Sequence, residues 1–499
     1  MCSLLSSANS WEVGQSVQTT SGLVHGHAAS NTSVSEYLGI PYAEPPIGTL
    51  RFEPPQKYTS NSTINGTDFG FSCPVASTYS AALSPQQHPT FNFTVGGIQI
   101  LDAIAQVDEK FSEDCLTLNI WTKPQTGEKG KAVMVWIPGG GFVGGSPTSV
   151  AYNGQYFADQ EDVIIVSVSY RLNIFGFPGN PLGRNNLGLL DQRLAVQWVH
   201  DNIAAFGGDP SRITLFGESA GGASVDLYSY GFVKAPLVAG FIAQSGTTQL
   251  EPALTPSASA NLWFTVSSEL GCGNSTSDNQ AVLACMRNVS TEQITKAVGA
   301  DAGFIPTADD IIVFSNYTAR SLAGNFTKKP MLVGHTDAEA NLFALIAEMG
   351  GETVPDAYWA SYESSLFFCP AAVRANVSVY NDVPVWRYRY FGDYPNMQLQ
   401  ENIDAGAYHG SEVFTLFGNT PSGAGIPAQT LAEKGTGDYM RKAWAAFAKD
   451  PENGLTRLGW PAFDPEKNTL IRLGYGNSTG LNLASSASYD AGCTSIFPV

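Results

Sequence analysis

Residues Ser211-Arg212-Ile213-Thr214-Leu215-Phe216 read as a β-strand. They run directly into Gly217-Glu218-Ser219-Ala220-Gly221-Gly222 and then Ala223-Ser224-Val225-Asp226-Leu227-Tyr228, which reads as a helix. Strand, G-x-S-x-G turn and helix in immediate succession form a nucleophile elbow. The turn is strained and its helix packs close to its strand, so the chemistry needs glycine around the serine. Ser219 is therefore the candidate nucleophile, with the amide of Ala220 aimed at a developing oxyanion. The same pattern recurs at Gly476-Asn477-Ser478-Thr479-Gly480. No β-rich run feeds that copy and no helix follows it, so it reads as a surface turn.

The elbow needs a sheet around it, and the sequence supplies one. Apolar β-rich runs recur at Ala132–Pro138, Val163–Tyr170, Ile213–Phe216, Phe241–Gln244, Met331–Val333 and Val385–Tyr390, with helical stretches such as Asp191–Ala205 between them. Non-alternating Val/Ile runs separated by helices predict a mostly parallel sheet covered on both faces. Shorter strands with Gly/Pro turns are expected earlier, at Gly22–Gly26 and Glu36–Pro41, within a strand region spanning 15–60. No repeat or long linker interrupts the 499 residues, so one α/β domain over 1–499 is expected. A chain of this length buries enough surface to need no metal for its core.

A net charge of −18 leaves no basic stripe for nucleic acid and argues against an anionic membrane surface. No apolar run approaches 18 residues, so no membrane span is expected. Only 14% of residues are charged. Against that low charge stand ten N-glycosylation sequons, at Asn31, Asn61, Asn65, Asn92, Asn274, Asn288, Asn316, Asn325, Asn376 and Asn477. Together they predict a secreted glycoprotein with N-linked glycans. The start Met1-Cys2-Ser3-Leu4-Leu5 lacks the features of a signal peptide, as expected of a chain whose leader is gone. The terminus Ile496-Phe497-Pro498-Val499 is too short for a lipid-anchor signal. The seven cysteines show no metal-ligand spacing and no C-x-x-C, so disulfides are expected, with one thiol left over and Cys2 the natural odd one.

A second motif joins the elbow. After the run Val133–Ile137 comes Pro138-Gly139-Gly140-Gly141-Phe142. Consecutive glycines at a strand's C-terminal end let backbone N–H groups approach a ligand unobstructed, so Gly140 and Gly141 are expected to complete an oxyanion hole with Ala220. Only six histidines could supply a base. His25 and His27 lie in the N-terminal strand region, His88 in a Pro-rich loop, and His200 on a helix where it reads as packed. His335 and His409 remain, His409 being the better candidate.

With these motifs the chain resembles the type-B carboxylesterase/lipase family, the cholinesterase-like branch of the α/β-hydrolases. Phe206-Gly207-Gly208-Asp209-Pro210 leading to the elbow looks like the family's serine signature, and Glu113-Asp114-Cys115-Leu116-Thr117-Leu118-Asn119-Ile120 like its second. Gly39-Ile40-Pro41-Tyr42-Ala43 with Arg51-Phe52 resembles its N-terminal segment, and Gln244-Ser245-Gly246 a strand end with a buried serine. Pro138 departs from the His or Tyr usual there. The resemblance implies an α/β-hydrolase fold and a serine esterase working through an acyl-enzyme, with no cofactor and no metal. It places the triad acid at Glu339, with Asp337 as rival, and the base at His409. It pairs Cys73 with Cys115, Cys272 with Cys285, and Cys369 with Cys493. It makes Arg51 and Glu113 a structural ion pair and gives Glu412 a supporting role behind the base. By family position Phe142, Phe304 and Phe343 are expected to line the pocket.

The loop 73–115 carries no Trp, so the cation site of the family's cholinesterases is expected to be absent. That loop is either a lid, as in the fungal lipases of the family, or a fixed gorge wall. A small-molecule or lipid ester is the expected substrate. Esterase, lipase or sterol esterase, and acyltransferase remain open. The family's non-catalytic adhesion members lack the serine or another triad residue, and all three are kept here. The base must be neutral to act, so the rate is expected to rise with pH through a pKa of ~6.5.

Overall fold

The computed structural model describes residues 11–250, 252–299 and 303–493. Cys2, the segment Met1–Leu5 and the terminus Ile496–Val499 lie outside the described residues. The strands, in chain order, are β1 (Val17–Thr19), β2 (Gly22–His25), β3 (His27–Ala28), β4 (Ser35–Pro41), β5 (Thr63–Asn65), β6 (Thr117–Thr122) and β7 (Lys131–Ile137). They continue with β8 (Ile164–Val168), β9 (Gly208–Glu218), β10 (Gly240–Gln244), β11 (Met331–Thr336), β12 (Val385–Tyr390), β13 (Leu470–Leu473) and β14 (Leu483–Ala484). Strands β1, β2 and β5 form a small separate sheet. The other eleven form one large sheet in the order β14-β13-β12-β11-β10-β9-β7-β8-β6-β4-β3. Its centre, from β8 through β7 and β9 to β13, is parallel. Both margins turn antiparallel.

The continuous apolar runs follow from burial on both faces. Every residue of β7 is buried. Val133, Val135 and Ile137 point into one core cluster, with Val196 and Val199 of the helix Leu187–Asn202 and with Val225 and Leu227 of the helix Ala220–Gly231. Ala132, Met134 and Trp136 point into the other, with Phe157 of the helix Gln155–Glu161 and with Trp444 and Phe447 of the helix Leu431–Lys449. A period-2 strand between two helical layers has no polar side to show. This α/β-hydrolase architecture is the one the sequence implied.

Two expectations are corrected. The elbow strand is longer than its apolar part, running from Gly208. His200 is not packed: Trp198 and Val199 take the helix's buried face, and His200 is left half-exposed beside Asp201, 3.4 Å away. The cysteines pair as Cys73–Cys115, Cys272–Cys285 and Cys369–Cys493. Arg51 and Glu113 form a buried two-point ion pair, with Nε 2.8 Å from Oε2 and Nη2 2.5 Å from Oε1. The guanidinium also donates to the carbonyls of Met286 and Val289, tying the helix Asn279–Asn288 to the second signature. No helix among the described residues is long and apolar enough to cross a membrane.

Candidate active site

The site gathers at the C-terminal ends of the central parallel strands. Ser219 follows β9 with φ 57° and ψ −127°, a conformation a residue with a Cβ holds only under constraint. The constraint is visible. Ser219 N donates to Gln244 O at 2.9 Å, and Ser219 O accepts from Ala223 N at 2.8 Å. Backbone crowds in from both neighbours: a Cβ on Gly221 would stand 2.0 Å from Ile137 O, and one on Gly246 2.1 Å from Ser219 O.

Gly139–Gly141 follow β7. Gly140 (φ 111°) and Gly141 (φ 60°) line one cavity with Ser219. Gly140 O accepts from Val143 N and Gly144 N at 3.0 and 2.9 Å, which curls the loop. A Cβ on Gly140 would meet Gly144 O at 2.4 Å. Ala220 opens the helix Ala220–Gly231, where the first amides have no intrahelical partner. Pro138 follows the last paired residue of β7, its carbonyl accepting from Tyr170 Oη at 3.0 Å.

Glu339 stands between β11 and the helix Ala340–Met349, fully buried. Its Oε1 accepts from Thr336 N at 2.8 Å and from Ser245 Oγ at 2.7 Å. Its Oε2 lies 2.5 Å from His409 Nδ1. The rival Asp337 faces elsewhere, its carboxylate 2.6 Å from Arg389 Nε. The base loop is laid against the acid loop by Ala338 N donating to Ala407 O at 2.9 Å. The rings of Phe343 and Phe367 flank His409, with centroids at 4.9 and 5.0 Å.

His409 Nε2 has no hydrogen-bond partner among the described residues. His409 lines the cavity that Ser219 lines, and its Nε2 lies 3.1 Å from Glu218 Oε1. Glu218 is the residue that sequence reasoning missed. It is the last residue of β9, and nothing in local spacing distinguishes a carboxylate aimed at an imidazole from one aimed at solvent. Glu412, in the helix Ser411–Phe417, is buried behind the base. Its Oε1 accepts from Gln244 Nε2 at 3.1 Å, and Gln244 Oε1 accepts from Trp444 Nε1 at 2.9 Å.

One imidazole among three buried carboxylates is an unusual electrostatic arrangement. Burial alone would depress His409, but Glu218 and Glu339 outweigh it and hold its pKa at about 9. Burial and Glu339 push Glu218 up to about 7 against the pull of His409. Burial, then Glu218 and Glu339, push Glu412 to about 8. His335 goes the other way: fully buried beside Arg389 and Arg387, it stays neutral.

The cavity measures ≈ 340 Å³, within the usual range for small-molecule sites. Leu342, Phe343, Ile346 and Phe367 line it. Tyr79, Leu83, Ala103 and Ile104 of the loop 73–115 line it too. Two expected pocket residues are not there. Phe142 is packed in the core, edge-on to Phe177 at 5.3 Å, because its positive φ turns the side chain away from the glycine loop. Phe304 is buried in a satellite cluster with Trp263 and Phe175. Nine of the ten sequon asparagines are exposed. Asn376 is not, being carried on the helix Cys369–Tyr380 with its Oδ1 buried. No cluster that could hold a metal ion occurs among the described residues.

The model of the Carboxylesterase family matches residues 13–351 and 346–489. The chain is 33% identical over 485 residues to a chlorogenic acid esterase of Aspergillus niger, covering 92% of this chain and 90% of that one. It is also 33% identical over 485 residues to secreted lipase 5 of Gibberella zeae, covering 89% and 87%. Among solved structures it superposes on a PNB esterase with a TM-score of 0.76 at 27% identity, covering 96% of this chain and 99% of that one.

Proposed function

The chain belongs to the carboxylesterase family, and from that premise we propose that this carboxylic ester hydrolase is a secreted enzyme working through Ser219, His409 and Glu339. One observation carries the reading. An elbow serine and an imidazole line the same cavity, and that imidazole's far nitrogen is held by a buried carboxylate at 2.5 Å. Ser219 Oγ attacks the ester carbonyl as His409 Nε2 takes its proton. Glu339 fixes the tautomer and stabilises the imidazolium. The amides of Gly140, Gly141 and Ala220 receive the oxyanion. His409 gives its proton to the leaving alcohol, and water then releases the acid from Ser219 by the same steps. Three disulfides and nine exposed sequon asparagines support an oxidising, extracellular setting.

The test is a p-nitrophenyl ester series from acetate to palmitate. A cavity of ≈ 340 Å³ fits short and medium acyl chains, so the rate should peak there and fall before palmitate. Ser219→Ala should lose on the order of 10⁴-fold or more in kcat. Near-full activity in that variant would remove the serine from the mechanism.

A further inference from the structure

The triad acid sits just past the end of β11, and the turn that carries it is tied down residue by residue. Thr336, the last residue of the strand, is held at both ends. Its amide donates to Glu339 Oε1 at 2.8 Å, and its carbonyl oxygen lies 2.8 Å from His335 Nδ1. A carbonyl only accepts, so Nδ1 carries the proton of that ring, and Nε2 is buried without a partner. Asp337 is gripped by Arg389, whose Nε lies 2.6 Å from Oδ1 and whose Nη2 donates to the Asp337 carbonyl at 3.3 Å. His335 and Arg389 are paired positions of β11 and β12, and both rest on Phe368. The imidazole stacks on that ring at 4.6 Å, and the guanidinium lies 4.3 Å from its centroid. Phe368 ends a single π-helical turn, Ser364–Phe368, and the residue before it, Phe367, flanks His409. Such turns recur at functional sites.

We propose that His335 is a positioning residue for the triad acid, holding the Thr336 peptide through Nδ1 so that Glu339 stays aimed at His409. The assignment rests on the hydrolase reading above and deepens it. A carboxylate aims only as well as the turn beneath it is fixed, and a misplacement of about 1 Å can cost on the order of 10²-fold in rate. Glu339 Oε1 takes its donors from Ser245 Oγ and Thr336 N. Beyond Thr336 the strand ladder ends, so a side-chain donor takes over the restraint of that residue. The ring suits the task because it donates without charge. Burial, then Arg389 and Arg387, keep it neutral. A cationic donor there would compete with His409 for Glu339.

The test uses two substitutions of opposite design in the full-length protein, assayed on p-nitrophenyl butyrate. His335→Phe keeps the stack on Phe368 and removes the donor. It should lower kcat about tenfold with KM within about twofold. Glu339 is among the anions that raise His409. Its drift from Nδ1 should therefore also move the acid limb of kcat/KM to lower pH, while Glu218 and Glu412 stay in place. His335→Asn restores a donor near the position of Nδ1 and should bring kcat within about threefold of the parent, with the limb back at its parental position. A merely structural histidine would change the thermal midpoint and leave the limb alone. Parental kcat and limb in His335→Phe, or no recovery in His335→Asn, overturns the assignment. Should His335→Phe fail to fold, Asp337→Ala loosens the same turn from its exposed side, and parental kcat and limb there overturn it equally. An unaltered protein inert on every p-nitrophenyl ester would remove the hydrolase reading, and this one with it. An active parent with an indifferent His335→Phe removes this one alone.

Discussion

At the scale of single residues, Glu218 changes what is expected of the base. An isolated imidazole would lose its proton at ~6.5. His409 is held at about 9 by the anions around it, so the neutral form that can accept the Ser219 proton is reached only at higher pH. The acid limb of kcat/KM against pH should therefore lie above 6.5. The apparent value belongs to the imidazole and its carboxylates together. Glu218 is the largest of the influences that raise His409. Glu218→Gln removes that anion, so the limb should move to lower pH whatever happens to the plateau. A limb unmoved by the substitution would show that Glu218 does not act on the ring. The neighbouring choice between Glu339 and Asp337 has the same character. Two carboxyls two residues apart differ only in which one the turn after β11 aims inward, and Arg389 takes the other.

At the scale of elements, the loop 73–115 decides between lid and wall. The helix Val95–Ile104 is pressed against the segment 394–403 by two glycines. A Cβ on Gly96 would stand 2.5 Å from Asn396 O, and one on Gly97 2.2 Å from Leu399 O. Thr94 Oγ1 adds a hydrogen bond to Gln398 O at 2.5 Å, and Phe93 bridges to Gln400. We propose that a segment seated this closely serves as a fixed gorge wall. Activity toward a sparingly soluble triacylglycerol should rise smoothly through its solubility limit. An abrupt gain at the emulsion would mark a lid. Gly97→Ala should force the wall outward at about 1–3 kcal/mol, read as a lowered thermal midpoint with a raised KM.

At the scale of the molecule, the chain's last described strands and loops are tied back by Cys369–Cys493, which closes a span of 124 residues, against 13 for Cys272–Cys285. Loop-closure entropy gives the long bridge about 5 kcal/mol and the short one about 3 kcal/mol. Replacing both cysteines of each bridge by alanine should therefore lower the urea midpoint more for the 369–493 pair. The reverse order would mean that the bridges act through native contacts and not through the unfolded chain. The eleven-stranded sheet has the matching role of carrying Gly139–Gly141, Ser219, Ser245 and Glu339 on the ends of neighbouring strands. Groups far apart in sequence thereby reach one cavity at fixed spacing.

The sequence by itself determined the parallel α/β sheet and the elbow, because continuous burial and a strained G-x-S-x-G turn leave local marks in residue type. Family likeness carried Glu339, His409 and the disulfide partners. Tertiary structure alone decided what touches the ring of His409, and that Phe142 and Phe304 turn into the core. Those outcomes depend on where side chains from β7, β9, β11 and the loop 73–115 meet in space. No residue's immediate neighbours in the chain encode such a meeting.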